Sequence, residues 1–165
     1  MCHTNLDVVK NGVSEVLAKK LGARNLQVLA PTGGIEHPEI GFGQVGQLAK
    51  EVSSTTFLNS LCATLNIPAV KIAGPLPESI RSIAVCGGSG SDLAEQAFTS
   101  GAQIYITGEV KHSTARWAEE VHFCIIDAGH FATENISIET FSSIVQKHLQ
   151  DNNIKLNTRA AKEQA

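Results

Sequence analysis

Between residues 6 and 21, apolar side chains recur every three or four positions, which is the spacing of one face of an α-helix. This pattern predicts a helix over 6–21. Gly22 is suited to end it, because glycine readily adopts the left-handed conformation that follows many helices. Three further elements are predicted in this part of the chain: a strand at 26–29, a turn at 31–34 and a helix at 55–65.

Beyond residue 68, short β-branched runs alternate with helix-forming segments, which is typical of βαβ units around a largely parallel sheet. The chain is therefore predicted to be an α/β protein, and the polar segment 151–165 is predicted to be a flexible tail. The predicted strands lie at 69–73, 83–86, 103–106 and 123–126, and the predicted helices lie at 92–99, 113–120 and 137–150.

The composition excludes several classes of function. The net charge of −3 and the pI near 6.0 argue against a nucleic-acid-binding protein. No apolar run reaches the length of about 18 residues that a membrane helix needs, and no secretory signal opens the chain. The four cysteines form no Cys-x-x-Cys pair, which excludes a zinc ribbon or a thioredoxin-type site. We therefore expect a cytoplasmic protein without nucleic-acid or membrane partners.

A histidine and a carboxylate four residues apart, His130 and Glu134, follow the last predicted strand. If the chain becomes helical at His130, the two side chains lie on one face, where an imidazole and a carboxylate suit a divalent transition-metal ion. His3 and Asp7 form a second pair with the same spacing. Together the pairs could hold most of one ion or parts of two. The alternatives are a surface pair, or a carboxylate that only stabilises the start of a helix.

Three loops follow predicted strands, at 86–92, 107–112 and 127–134. Because parallel strands end at the same edge of a sheet, where α/β proteins bind ligands, we expect these loops to meet. The first loop precedes a predicted helix, so it could hold a phosphate or a carboxylate, or nothing. The second loop lines the same pocket or is a plain surface turn. The pocket candidates are Gly88, Ser89, Thr107, Glu109 and His112.

The stretch from Gly41 to Gly46 has the G-x-G-x-x-G spacing of dinucleotide-binding loops. Such a loop follows a strand, opens a helix and is followed about 20 residues later by an acidic residue. Here Glu36-His37-Pro38-Glu39 precedes the glycines, and residues 60–66 contain no acid. We therefore reject dinucleotide binding and predict a glycine-rich strand or bulge.

Five motifs span nearly the whole chain: HTNLD at 3–7, GFGQVG at 41–46, VCGGSG at 85–90, TGEVKH at 107–112 and DAGHFATE at 127–134. Together and in this order they resemble the Nif-three-like dinuclear metal centre family, of the YbgI/YqfO type. Some members of that family are labelled GTP cyclohydrolase I type two homologue. The resemblance implies a two-lobed α/β fold with metal ions in the cleft between the lobes.

The resemblance also implies roles for particular residues. Asp7 would be the family's bridging aspartate, and His130 and Glu134 would be the ligands from the second half of the chain. His3 would lie beside the metal, as a ligand or as a group that supports one. The family holds up to two divalent ions, for which zinc, iron, manganese and nickel are the candidates. Its members assemble as rings of hexameric type, so we expect a homo-oligomer.

The sequence departs from the family near its beginning. Family members carry an adjacent His-His pair that supplies metal ligands, and this chain has none; Ser113 also follows His112 where many members have a second histidine. We therefore expect residues 1–50 to be a remnant of a truncated first α/β lobe, followed by a second α/β lobe at 51–150. The metal site should be incomplete and hold fewer ions, and the shortened lobe should expose an apolar edge that favours association.

Two functions follow as hypotheses. The first is a metal-dependent, hydrolase-like protein that acts on an unidentified small molecule, with the metal polarising a substrate oxygen. The second is a non-enzymatic interaction or scaffold protein in which the metal is structural or vestigial. A dinucleotide-dependent dehydrogenase would rest only on the glycine spacing that we reject.

Overall fold

The computed structural model describes residues 4–161 of the chain, and within them six strands form one mixed sheet. The strands are β1 (Ala23–Gly33), β2 (His37–Ser53), β3 (Lys71–Ala73), β4 (Ser79–Cys86), β5 (Ile104–Thr107) and β6 (Cys124–Asp127). Their order across the sheet is β1-β2-β4-β5-β6-β3. The α/β class predicted from the sequence is confirmed.

The three central strands, β4, β5 and β6, run parallel, as the alternation of strands and helices predicts. The outer strands are antiparallel: β1 and β2 form a long hairpin that joins β4, and β3 pairs with β6. The parallel part of the sheet therefore lies in the second part of the chain. The first strand predicted there, β3, is short and forms an antiparallel edge.

Seven helices accompany the sheet within the described residues. They are α1 (Thr4–Val8), α2 (Val13–Lys20), α3 (Ser54–Leu65), α4 (Ala94–Thr99), α5 (His112–Glu120), α6 (His130–Asn135) and α7 (Ile138–Asp151). A 3₁₀ turn at Ser91–Leu93 leads into α4. None of these helices combines the length and the apolar character that crossing a membrane requires.

The single helix predicted over 6–21 is wrong, because the chain breaks into α1 and α2. Asn11 adopts a φ of 59°, and a Cβ at Gly12 would lie 2.1 Å from the carbonyl oxygen of Leu6. The chain therefore departs from helical geometry between the two helices. The apolar spacing continues across the break because both helices pack on β2.

The hairpin also differs in its details from the prediction. β1 continues to Gly33, so the turn falls at residues 34–36 rather than at 31–34. The stretch 41–46 lies inside β2 and is extended, as predicted. β2 also runs through residue 50, where the sequence placed the boundary between two lobes, and that division stays a prediction.

Both faces of the central strands are buried, and their side chains alternate between two apolar clusters. In β4, Ile83 and Val85 belong to the cluster on one face, whereas Ala84 and Cys86 belong to the cluster on the other. Tyr105, fully buried, lies in the second cluster. Helices α2 and α3 contribute to the first cluster, and α4 and α5 contribute to the second. The packing on both faces holds the ends of β4, β5 and β6 in place, and the candidate site lies at these ends.

Candidate metal centre

The carboxyl ends of β4, β5 and β6 lie side by side at one edge of the sheet. Cys86 in β4 is the register partner of Thr107 in β5, and Thr107 is the partner of Asp127 in β6. The loops that follow these three residues therefore meet, which confirms the shared edge predicted from the sequence.

His130 and Glu134 lie on one face of α6, the short helix that follows β6. Nε2 of His130 is 3.0 Å from Oε1 of Glu134, so the pairing predicted from their spacing is confirmed. Gly129, with a φ of 85°, turns the chain from β6 into the helix. The two side chains are 43% and 38% exposed, which leaves them accessible to a ligand from solvent.

A second carboxylate, that of Glu109, contacts the other ring nitrogen of His130, with Oε1 2.8 Å from Nδ1. The hydrogen bond to Glu109 and the negative charges of Glu134 and Glu109 raise the pKa of His130. In turn, the hydrogen bonds from His130 and Ser89 hold the pKa of Glu109 below its usual range. The protonated, positively charged form of this imidazole is therefore favoured.

The loop after β4 closes over this pair at Gly88. Gly88 has a φ of 68°, and a Cβ built there would lie 2.3 Å from Oε1 of Glu134 and 3.2 Å from Nε2 of His130. Glycine lets the backbone approach both side chains closely. The loop backbone thus forms one wall of the site.

Three hydroxyl groups hold this loop in place. The N–H of Gly88 donates to Oγ1 of Thr133, and the N–H of Gly90 donates to Oγ1 of Thr107, each at 3.0 Å. Tyr105 donates its hydroxyl to the carbonyl of Gly90 at 2.8 Å. The sequence pattern did not single out Thr133 or Tyr105. The signal available for Thr133 was its position in the same short helix as the predicted ligands.

The other predicted site residues lie around the pair in different ways. Thr107 is fully buried, so it anchors the loop rather than lining a pocket. Ser89 lies near the Glu109 carboxylate and lowers its pKa. His112 is exposed at the first residue of α5. His3 lies outside the described residues.

Asp7 lies in α1 and is half-buried. Burial raises the pKa of the Cys86 thiol, and the negative charges of Asp7 and Glu134 raise it further. Both carboxylates therefore lie within electrostatic range of the end of β4. Asp7 does not form a group of metal ligands with His130 and Glu134.

For a metal ion, the described residues supply a pair of ligands rather than a full set. Two ligands about 2.0–2.1 Å from a tetrahedral ion lie about 3.3 Å apart, which is close to the 3.0 Å between His130 Nε2 and Glu134 Oε1. Within residues 4–161, no group of three or more His, Cys, Asp and Glu side chains lies close enough together to hold an ion. The pair therefore fits part of a coordination sphere, and at least one further ligand has to join it.

We expect Cys62 to react with iodoacetamide faster than Cys86 and Cys124 at about pH 8. Cys62 is partly exposed on α3, whereas burial raises the pKa of Cys86 and raises that of Cys124 to about 11. Because a raised pKa keeps the reactive thiolate scarce, labelling of the two buried thiols should increase as the pH rises. Alkylation followed by peptide mapping measures each rate, and equal rates for the three thiols would contradict this prediction.

These features define a class of protein: a mixed α/β protein with a histidine–glutamate pair among the loops at the carboxyl edge of its parallel strands. The family model described as Duf34/NIF3 (NGG1p interacting factor 3) matches residues 1–165. The chain belongs to this family, as its five motifs indicate.

The chain is similar to proteins named GTP cyclohydrolase 1 type 2 homolog from Clostridium acetobutylicum and Streptococcus pneumoniae. It is 31% identical to the first over 140 residues, which cover 85% of this chain and 52% of the relative. It is 30% identical to the second over 157 residues, which cover 90% of this chain and 56% of the relative. The chain thus spans about half the length of these relatives.

Among solved structures, a Bacillus cereus protein related to NIF3 matches this fold with a TM-score of 0.89. The two chains are 20% identical, and the match covers 98% of this chain and 70% of that one. At this identity the likeness shows the fold, and the chemistry of the site has to be argued from the residues of this chain.

Proposed function

We propose that this chain binds a divalent transition-metal ion through His130 and Glu134 and serves a metal-dependent, hydrolase-like reaction. Asp7, which the family resemblance assigns as a ligand, has to move closer to the pair to be the third one. The observation that carries the proposal is the 3.0 Å approach of His130 Nε2 to Glu134 Oε1 beneath the Gly88 backbone. Zinc, iron, manganese and nickel are the ions considered, because each accepts imidazole and carboxylate ligands. With one such pair in the described residues, we propose one ion rather than two.

A bound ion would polarise a substrate oxygen and lower the pKa of a bound water. The residues of the chain would hold and orient the groups around that point. Glu109 restrains His130, and the backbone at Gly88 shields one side of the pair. Ser89 lies in the loop after β4 and His112 at the start of α5, where a small-molecule substrate would be bound. Because two relatives are named as GTP cyclohydrolase homologues, GTP is one molecule to include among the substrates tested.

We expect elemental analysis by mass spectrometry to find one of these metals in the purified parent chain and much less of it in His130→Ala. The substitution removes the only nitrogen ligand of the proposed set. Glu134→Gln should also lose most of the metal, because an amide oxygen is a weaker ligand for these ions than a carboxylate. Reconstitution with each metal, followed by dialysis, gives the stoichiometry of the three proteins.

His148→Ala is the matched control for this experiment, since His148 is an exposed histidine on α7. This variant should retain the metal content of the parent. Equal metal contents in the parent and in His130→Ala would contradict the proposal. A parent chain that takes up none of the four metals on reconstitution would contradict it as well.

A second candidate function is a non-enzymatic interaction or scaffold protein in which the metal is structural. The observation that favours it is α7, which buries none of its residues and exposes Ile138, Phe141 and Ile144. An exposed apolar helix face is typical of an interface, and we propose another copy of the chain as the partner, in a hexameric ring by the family resemblance. If His130→Ala lowers only the melting temperature and abolishes no activity, the scaffold function is favoured.

A further inference from the structure

We infer that Glu109 is a positioning residue, which holds the imidazole of His130 so that its Nε2 atom faces Glu134. The inference rests on the metal site proposed above and extends it from the ligands to the group that orients one of them. Oε1 of Glu109 lies 2.8 Å from Nδ1 of His130. This is the ring nitrogen that the metal would not use.

The imidazole needs such a restraint. His130 is the first residue of α6, and its side chain is 43% exposed, so packing alone does not fix the ring. A carboxylate on Nδ1 keeps the proton on that nitrogen and leaves the lone pair of Nε2 for an ion. It also strengthens Nε2 as a ligand, as carboxylate partners do for histidines in metal sites.

Glu109 is itself held in place by the loop after β4. Its carbonyl accepts a hydrogen bond from the hydroxyl of Ser91 at 2.8 Å, and that hydroxyl accepts one from the N–H of Lys111 at 2.8 Å. Ser91 is buried. Ser89, in the same loop, is close enough to the Glu109 carboxylate to lower its pKa. The loops after β4 and β5 are thus joined around Glu109, and its carboxylate extends from a fixed backbone.

Two alternatives assign Glu109 a different role. As a further ligand of the same ion it is badly placed, because Nδ1 and Nε2 point away from each other and the ring separates Glu109 from Glu134. As an ordinary surface ion pair with His130, it would contribute little to stability and nothing to metal affinity. The three roles predict different results when Glu109 is replaced.

The test compares Glu109→Gln and Glu109→Ala with the parent chain. Glu120→Gln controls for the loss of one surface carboxylate, since Glu120 is exposed at the last residue of α5, the end remote from His112. Competition with a chromophoric chelator measures the affinity for zinc. The absorption spectrum of bound cobalt reports the ligand set, and thermal unfolding of the metal-free proteins reports their stability.

We expect Glu109→Ala to bind zinc about 10- to 100-fold more weakly than the parent. Glu109→Gln should fall between the two, because an amide oxygen still accepts the Nδ1 proton but carries no charge. Glu120→Gln should bind as the parent does. The cobalt spectrum should keep its shape in all variants, and the melting temperatures of the metal-free proteins should stay close together, because the pair is exposed.

Three results would overturn the inference while leaving the proposed metal site intact. The first is an unchanged zinc affinity in Glu109→Ala. The second is a changed cobalt spectrum, which would make Glu109 a ligand. The third is a loss of zinc affinity that is always accompanied by a large fall in the melting temperature. A parent chain that binds no zinc or cobalt is a different result, since it overturns the proposed function and this inference with it.

Discussion

Gly88→Ala should remove most of the metal affinity of the chain and leave it folded. The added Cβ would lie 2.3 Å from Oε1 of Glu134 and 3.2 Å from Nε2 of His130, so the carboxylate has to turn away from the imidazole. The end of a glutamate side chain moves at little cost, but the two ligands then no longer face one ion. We expect the zinc affinity to fall by at least about tenfold, since even indirect disturbance of a ligand has that effect.

The positive φ of Gly88 means that Gly88→Ala should also lower the stability of the fold. At a φ of 68°, alanine is less stable than glycine by about 1–2 kcal/mol. Gly101→Ala is the matched control, because Gly101 has a φ of 79° and no atom lies within 4 Å of the added Cβ. In urea unfolding both variants should lose similar stability, and only Gly88→Ala should lose metal affinity. A Gly88→Ala protein that binds zinc as the parent does would show that the loop backbone is no wall of the site.

The central part of the fold could be predicted from local patterns. The strands β5 and β6 consist almost entirely of buried residues, so a short β-branched run identifies each of them. The helix between these two strands, α5, was also predicted, at 113–120. The break between α1 and α2 was not predictable in this way, because the apolar spacing continues through Asn11 and Gly12 although the helix is interrupted there.

In the candidate site, too, contacts between residues close in sequence could be predicted, whereas contacts between distant residues could not. His130 and Glu134 could be paired from the sequence because a helix brings positions four apart onto one face. The contact of Glu109 with His130 joins residues 21 positions apart, and that of Gly88 with Thr133 joins residues 45 positions apart. Both contacts depend on the register of β4, β5 and β6, which no local pattern specifies. The sequence therefore indicated Glu109 as a pocket residue without indicating its partner.

Leu61→Ala should lower the free energy of unfolding by about 2–5 kcal/mol and leave the metal affinity of the folded chain unchanged. Leu61 is fully buried on α3, in the cluster that joins this helix to β4 and β5. Its replacement removes apolar contacts and leaves a cavity, because the surrounding sheet relaxes only in part. Urea unfolding measures the loss as a lower midpoint with an unchanged slope.

Leu58→Ala, on the same helix, is the control for this change. Leu58 is only half-buried, so the same substitution should cost clearly less stability. Leu61→Ala should then lower the free energy of unfolding without lowering the zinc affinity. Gly88→Ala should lower the zinc affinity and have a smaller effect on the free energy of unfolding. If stability and zinc affinity instead fell in proportion in both variants, the geometry of the His130–Glu134 pair would depend on the fold as a whole. The hydrogen bonds that anchor the loop after β4 would then have no separate role in fixing the geometry of this pair.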